Sequence, residues 1–233
     1  MKTQTLKLTI PVLTFCGAIF AGIHANAQAT FTVDPTQNWI GYMNVFELPS
    51  NGGGYDFGQA WGTAALDAYF TGPTLTLTPN SNIDATDPND PYWWQDNGTG
   101  PGNHIMAASM YVEDDNYSGG TVTFTGDVLN NTLVSPYTSV AFIDDFTSGY
   151  SLVNTVSTAN LADGVFSISL NINPGDVLQY GFITTGPNAR VAALPGLGEV
   201  NVTAVPEPST FALFVGGILS VGILRSRKAG TRA

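Results

Sequence analysis

Between residues 30 and 204 the chain alternates apolar and polar side chains with a period of two. Thr74-Leu75-Thr76-Leu77-Thr78, Thr121-Val122-Thr123-Phe124-Thr125, Val165-Phe166-Ser167-Ile168-Ser169-Leu170 and Val200-Asn201-Val202-Thr203 show it most cleanly. Further strands are predicted at Trp39 to Leu48, Ala64 to Phe70, Ile105 to Glu113, Val140 to Phe146, Leu152 to Ser157 and Val177 to Thr184. Clusters of Gly, Pro, Asn and Asp separate them, as at Asn51-Gly52-Gly53-Gly54 and Ser118-Gly119-Gly120. Asn173-Pro174-Gly175-Asp176 reads as a tight turn in which Gly175 supplies a positive φ. A helical stripe is almost absent, and each alternating strand has one wet and one dry face. The pattern predicts an all-β fold, a β-sandwich of jelly-roll type with about eight to eleven strands.

The periodicity fails at both ends, where apolar residues run together. Lys2 and Lys7 precede a largely apolar run from Leu8 to Ile23, followed by Ala25-Asn26-Ala27. That order is a secretory signal peptide over residues 1–27, handled by the Sec machinery, with the mature chain starting at Gln28 or Thr30. Cys16, the single cysteine, leaves with it. Disulfides and cysteine catalysis are thereby excluded from the mature body. At the other end Val205-Pro206-Glu207-Pro208-Ser209-Thr210 precedes an apolar run from Phe211 to Leu224, and then Arg225-Ser226-Arg227-Lys228. The two prolines hold the hinge extended, and Ser209 or Thr210 can cap the helix that follows. Fourteen helical residues rise only ~21 Å against a hydrocarbon core of ~30 Å, and Arg225, Arg227 and Lys228 stop the segment on the cytoplasmic side of the inner membrane. The expected organisation is a signal peptide (1–27), an extracellular β-sandwich (28–204) and a C-terminal segment (205–233) with a short transmembrane helix.

Charge separates the ends from the middle. Six of the seven Lys and Arg residues lie in the terminal segments, and Arg190 is the cation of the body. With eighteen Asp and Glu, the formal net charge is -11. Such a body is repelled by nucleic acid and by anionic lipid. It suits a soluble extracellular domain whose acidic residues discourage edge-to-edge pairing.

Pro206-Glu207-Pro208, the short apolar helix and the Arg-rich terminus together resemble the PEP-CTERM sorting signal of Gram-negative bacterial envelope proteins. The resemblance implies recognition and processing by an exosortase, and a surface or secreted destination. In the body, Trp39 to Phe46, Phe57-Gly58, Trp61-Gly62, Tyr92-Trp93 and Gln179-Tyr180-Gly181-Phe182 resemble an extracellular domain of secreted bacterial proteins that sometimes accompanies polysaccharide-degrading modules. That likeness carries no catalytic residues to this chain.

Candidate chemistry in the body is sparse. His104 is its one histidine and no Gly-x-Ser-x-Gly turn supports a triad, so His104 is expected at a turn or strand edge. His-rich metal sets are absent. Paired carboxylates remain as the alternative, a glycoside hydrolase or lyase-type module, with Glu47 and Glu113 the glutamates inside predicted strands. Tyr92, Trp93, Trp94, Gln95 and Asp96 put stacking rings beside hydrogen-bonding side chains, a carbohydrate-binding composition. Trp39 and Trp61 read as core. Asp84, Asp87 and Asp90 space oxygen ligands along one loop, a candidate for structural calcium; no other cofactor is indicated. The expected function is a non-enzymatic, exported and surface-sorted envelope or matrix protein associated with extracellular polysaccharide.

Overall fold

The structure, a computed structural model, describes residues 28–205. Twelve strands among them build two six-stranded sheets. They are Gln28–Thr32 (β1), Ile40–Glu47 (β2), Tyr55–Ala60 (β3), Ala68–Thr71 (β4), Thr74–Leu77 (β5), His104–Asp114 (β6), Gly120–Asn131 (β7), Thr138–Phe146 (β8), Leu152–Ser157 (β9), Gly164–Ile172 (β10), Val177–Pro187 (β11) and Val200–Thr203 (β12). One sheet runs β4-β5-β12-β7-β10, with β1 lying parallel along the first half of β7. The other runs β3-β2-β6-β11-β8-β9 and is antiparallel throughout. The all-β, two-sheet expectation is met. The predicted signal peptide, the predicted short transmembrane helix, Pro206, Glu207, Pro208, Arg225, Arg227 and Lys228 lie outside the described residues. Among the described residues no helix is long and apolar enough to cross a membrane.

The connections nest. β9 returns to β8, β10 to β7, β11 to β6 and β12 to β5, and successive pairs alternate between the two sheets. β7 anchors one sheet because twelve residues give it room for β1 and β12 end to end on one edge and β10 on the other. Its alternation does the sorting: Val122, Phe124 and Val128 are buried, while the threonines between them are not.

Aromatic rings join the sheets. Phe124 of β7 lies 5.2 Å from the ring of Tyr180 and 5.4 Å from that of Phe182, both on β11. Phe166 of β10 meets Phe182 at 5.9 Å, and Phe31 of β1 stacks on Tyr180 at 4.6 Å. Met43, Val45, Met106 and Met110 fill the same layer from β2 and β6. Each fully buried ring or branched chain contributes about 1.5–3 kcal/mol. Trp39 and Trp61 are half-buried and pack on this core, as their sequence context predicts.

Local chemistry explains where prediction and structure part. Ala64 to Phe70 does not form one strand: Thr63–Leu66 makes a 3-10 turn, Asp67 takes φ 58°, and only then does β4 begin. Asp67 holds that corner by accepting hydrogen bonds from the backbone and hydroxyl of Ser81. β1 and β3 were not anticipated. In β3 the sequence Tyr-Asp-Phe-Gly-Gln-Ala alternates poorly, and β2 forms it by pairing. The turn after Asn173 is as expected, with Gly175 at φ 85° and the Asp176 N–H donating to the Asn173 carbonyl.

Candidate functional site

Outward-facing residues of the six-stranded antiparallel sheet line a cleft of ≈ 390 Å³. Tyr42 and Asn44 come from β2, Ser109 and Tyr111 from β6, Gln179 and Ile183 from β11, and Phe142, Asp144 and Phe146 from β8. Tyr150 closes one side from the turn between β8 and β9, where it sits at φ 59°. Gly181 pairs with Tyr111 on one neighbour and Phe142 on the other, and the rings of those two residues are 6.4 Å apart. A Cβ on Gly181 would stand 2.2 Å from the Met110 carbonyl oxygen and 2.6 Å from Tyr111 Cα. The cleft floor depends on that missing methyl group.

Glu113 organises one wall. Its Oε1 accepts the Tyr150 hydroxyl at 3.0 Å, and its Oε2 accepts the side-chain amide of Gln179. Burial pushes the Tyr111 phenol up to about 12, with the Glu113 charge adding to it. The Tyr150 phenol is also raised, first by its hydrogen bond to Glu113. Both hydroxyls therefore stay protonated at neutral pH. Asp144 is held above the usual carboxylate range by burial, against a hydrogen bond from Thr155 that acts the other way.

The predicted aromatic segment lies elsewhere, in the loop before β6. It forms no strand, and its rings therefore do not alternate between faces. Trp94 is fully buried, its Nε1 donating to the Asp87 carbonyl at 2.8 Å. Trp93 is half-buried against the core, and Tyr92 is 42% exposed. Gln95 is spent within the loop, donating to the Gly102 carbonyl at 2.9 Å, and Asp96 turns the chain at φ 51°.

Asp84, Asp87 and Asp90 do not converge. Asp84 pairs with Arg190 at 2.7 Å and also accepts the Val191 N–H at 2.8 Å. Asp90 accepts the Tyr92 N–H at 2.9 Å and so serves its own turn. Among the described residues, the one group of three metal-ligating side chains is instead Glu47, Asp56 and His104, whose ligand atoms all lie within 4.8 Å of one another.

That group sits where β2, β3 and β6 meet the loop. Glu47 and His104 are cross-strand partners. Asp56 is the extra residue of a β-bulge, since Phe57 opposes Val45 while Tyr55 opposes Phe46. The bulge turns the Asp56 carboxylate toward the ring of His104. His104 Nε2 lies 3.8 Å from Glu47 Oε1 and 3.7 Å from Asp56 Oδ2. The imidazole is 1% exposed, and neither nitrogen has a hydrogen-bond partner among the described residues. Tyr92 covers it at 4.4 Å between ring centroids and Trp93 at 5.1 Å. The Tyr92 hydroxyl donates to Asp56, and its phenol is raised, first by burial and then by that bond. Asn188 fixes the backbone of His104 by accepting its N–H and donating to the Trp93 carbonyl. From the sequence, His104 was an isolated residue; nothing local signalled that two carboxylates would reach it.

The described residues thus make an all-β, two-sheet domain with an aromatic cleft on one sheet and a histidine–carboxylate group at its rim. The family model for the PEP-CTERM protein-sorting motif matches residues 204–228, directly after β12. The chain therefore carries the mark of an exported protein sorted to the cell envelope or surface and processed by an exosortase. No curated protein and no solved structure matches the chain.

Proposed function

We propose that this is a non-enzymatic envelope or extracellular-matrix protein whose β-sandwich, a jelly roll, holds extracellular polysaccharide in the cleft on its antiparallel sheet. The nested return of β12 to β5, β11 to β6, β10 to β7 and β9 to β8 supports the jelly-roll reading. The observation that carries the binding reading is the cleft lining: the rings of Tyr42, Tyr111, Phe142, Phe146 and Tyr150 beside the polar ends of Asn44, Ser109, Asp144 and Gln179. Ring faces stack on the C–H surfaces of pyranose units, and amides, phenols and a carboxylate read the hydroxyls. Both oxygens of Glu113 accept hydrogen bonds from residues of the lining, which fits a positioning role better than acid–base work. Signal peptide, Sec export and removal of the C-terminal segment complete the route to the surface.

Affinity electrophoresis of residues 28–205 through gels carrying neutral or acidic polysaccharides tests the reading. Retardation by at least one polymer is expected, and Tyr150→Ala should weaken it by about 1 kcal/mol, roughly fivefold, without lowering Tm. Equal migration in every gel with the fold intact leaves a purely structural envelope role. Release of oligosaccharides during incubation would install the hydrolase or lyase reading instead.

A further inference from the structure

We propose that Glu47, Asp56 and His104 form a binding site for a divalent first-row transition cation, with Zn²⁺ the best match. This group lies at the rim of the sheet, apart from the aromatic cleft, and would hold an ion whether or not the cleft binds sugar.

His104 carries the argument. A buried imidazole costs free energy unless its nitrogens find partners. Here Nε2 points between two carboxylates and hydrogen-bonds neither, since 3.7–3.8 Å exceeds N–H···O range. A cation placed among the three donor atoms would meet all of them. Ligands at 2.0–2.2 Å in a tetrahedron stand roughly 3.4 Å apart, so each carboxylate oxygen need approach Nε2 by only a few tenths of an ångström, and rotation of the two partly exposed carboxylates can draw in the donor atoms, which already lie within 4.8 Å of one another. Glu47 and Asp56 keep side-chain exposures of 38% and 31%, enough to give an ion a path from solvent.

The donor set chooses the metal. One imidazole nitrogen with two carboxylate oxygens and no sulfur suits zinc-class ions. Calcium takes six to eight oxygens and does not use nitrogen, so it is disfavoured here. The surroundings also resemble a metal site's outer shell: Tyr92 donates to Asp56, and the bulge aims that carboxylate. The ligands come from three strands, and Tyr92 ties them to the loop through Asp56. A bound ion would pin the edge strand β3 to β2 and β6.

The test uses the full chain purified in mild detergent, stripped with chelator and titrated with ZnCl₂, MnCl₂ and CaCl₂ by calorimetry, with Tm followed in parallel. One equivalent of Zn²⁺ should bind and raise Tm, while Ca²⁺ does neither. Glu47→Gln and Asp56→Asn, both on partly exposed side chains, should each weaken Zn²⁺ binding about tenfold or more while the apo protein keeps its fold. Tyr92→Phe should weaken it about tenfold by freeing Asp56. His104→Gln should abolish it, and its own folding can be read from circular dichroism. No saturable Zn²⁺ binding to folded protein, or unchanged binding in both carboxylate variants, overturns the proposal and leaves a buried histidine held by ring packing alone.

Discussion

The guanidinium of Arg190 lies over the indole of Trp94, its central carbon 3.5 Å from the ring centroid. The same side chain pairs with Asp84 at 2.7 Å and donates to the carbonyls of Pro88, Gly98 and Gly100. One cation therefore gathers the long loop between β5 and β6 around a buried ring. Cation–π contact, charge-assisted hydrogen bonds and carbonyl satisfaction act at one point.

Arg190→Ala should destabilise the domain by on the order of 3 kcal/mol, because it takes the cation from Asp84, which keeps only the Val191 N–H, and the Arg190 donor from three loop carbonyls. Arg190→Lys should recover only part, since an ammonium cannot lie flat on the indole and reach all four acceptors. Urea unfolding at neutral pH measures both. Equal stability of the alanine variant would mean that the loop is held by backbone turns alone.

Gly181 offers a steric test. A methyl group there meets the Met110 carbonyl oxygen at 2.2 Å, backbone that cannot yield without separating β11 from β6. Gly181→Ala should cost about 1–3 kcal/mol and disturb the cleft. Gly54→Ala, with open space around its position, serves as the control and should change little. Similar Tm values for the two variants would contradict the close approach.

Asp145 supplies a pH signature. Its carboxyl is 1% exposed and is pushed above its ordinary value of 3.8 by burial, with the neighbouring Asp176 adding to the effect. A raised folded-state pKa means that the folded protein holds this proton more tightly than the unfolded chain does. The penalty is absent below about pH 3.8, grows as pH rises toward the folded value, and is constant above it. Asp145→Asn should therefore raise Tm at pH 7 and lose that advantage near pH 3.5. Asn173, which donates to the carboxylate, can still donate to the amide oxygen. An advantage of equal size at both pH values would show that ionisation is not the cause.

What the sequence revealed follows from how local each signal is. Alternation in β7 and β10 is written into consecutive residues, and so both strands were legible. β3 was not, because its Gly58 and polar neighbours acquire strand geometry only through β2. The cleft residues, apart from Tyr150 in a turn, occupy the outward positions of predicted strands. Their convergence depends on β2, β6, β11 and β8 being neighbours, which alternation alone does not state. The Tyr92 to Asp96 segment looked like a sugar ridge by composition, yet the loop folds Trp94 inward beneath Arg190. His104 seemed inert because its two carboxylate neighbours arrive from a partner strand and a bulge.

The C-terminal segment gives the remaining prediction. The sorting motif at residues 204–228 begins within two residues of the end of β12, so any cleavage near it would release the folded domain almost without a trailing linker. Replacing Pro206, Glu207 and Pro208 by alanine leaves the apolar run from Phe211 to Leu224 and the basic stop Arg225, Arg227 and Lys228 in place. Hydropathy and charge, which drive insertion, are then nearly unchanged. The substitution removes the two fixed φ angles and puts helix-favouring alanines in their place. In a host with the sorting machinery the altered chain should accumulate full-length in the inner membrane, while the parent loses its C-terminal segment. Mass spectrometry of the C-terminus in membrane and surface fractions reads the difference. Processing of the alanine variant at the parental rate would show that the enzyme recognises the apolar run and its cations, with the prolines incidental.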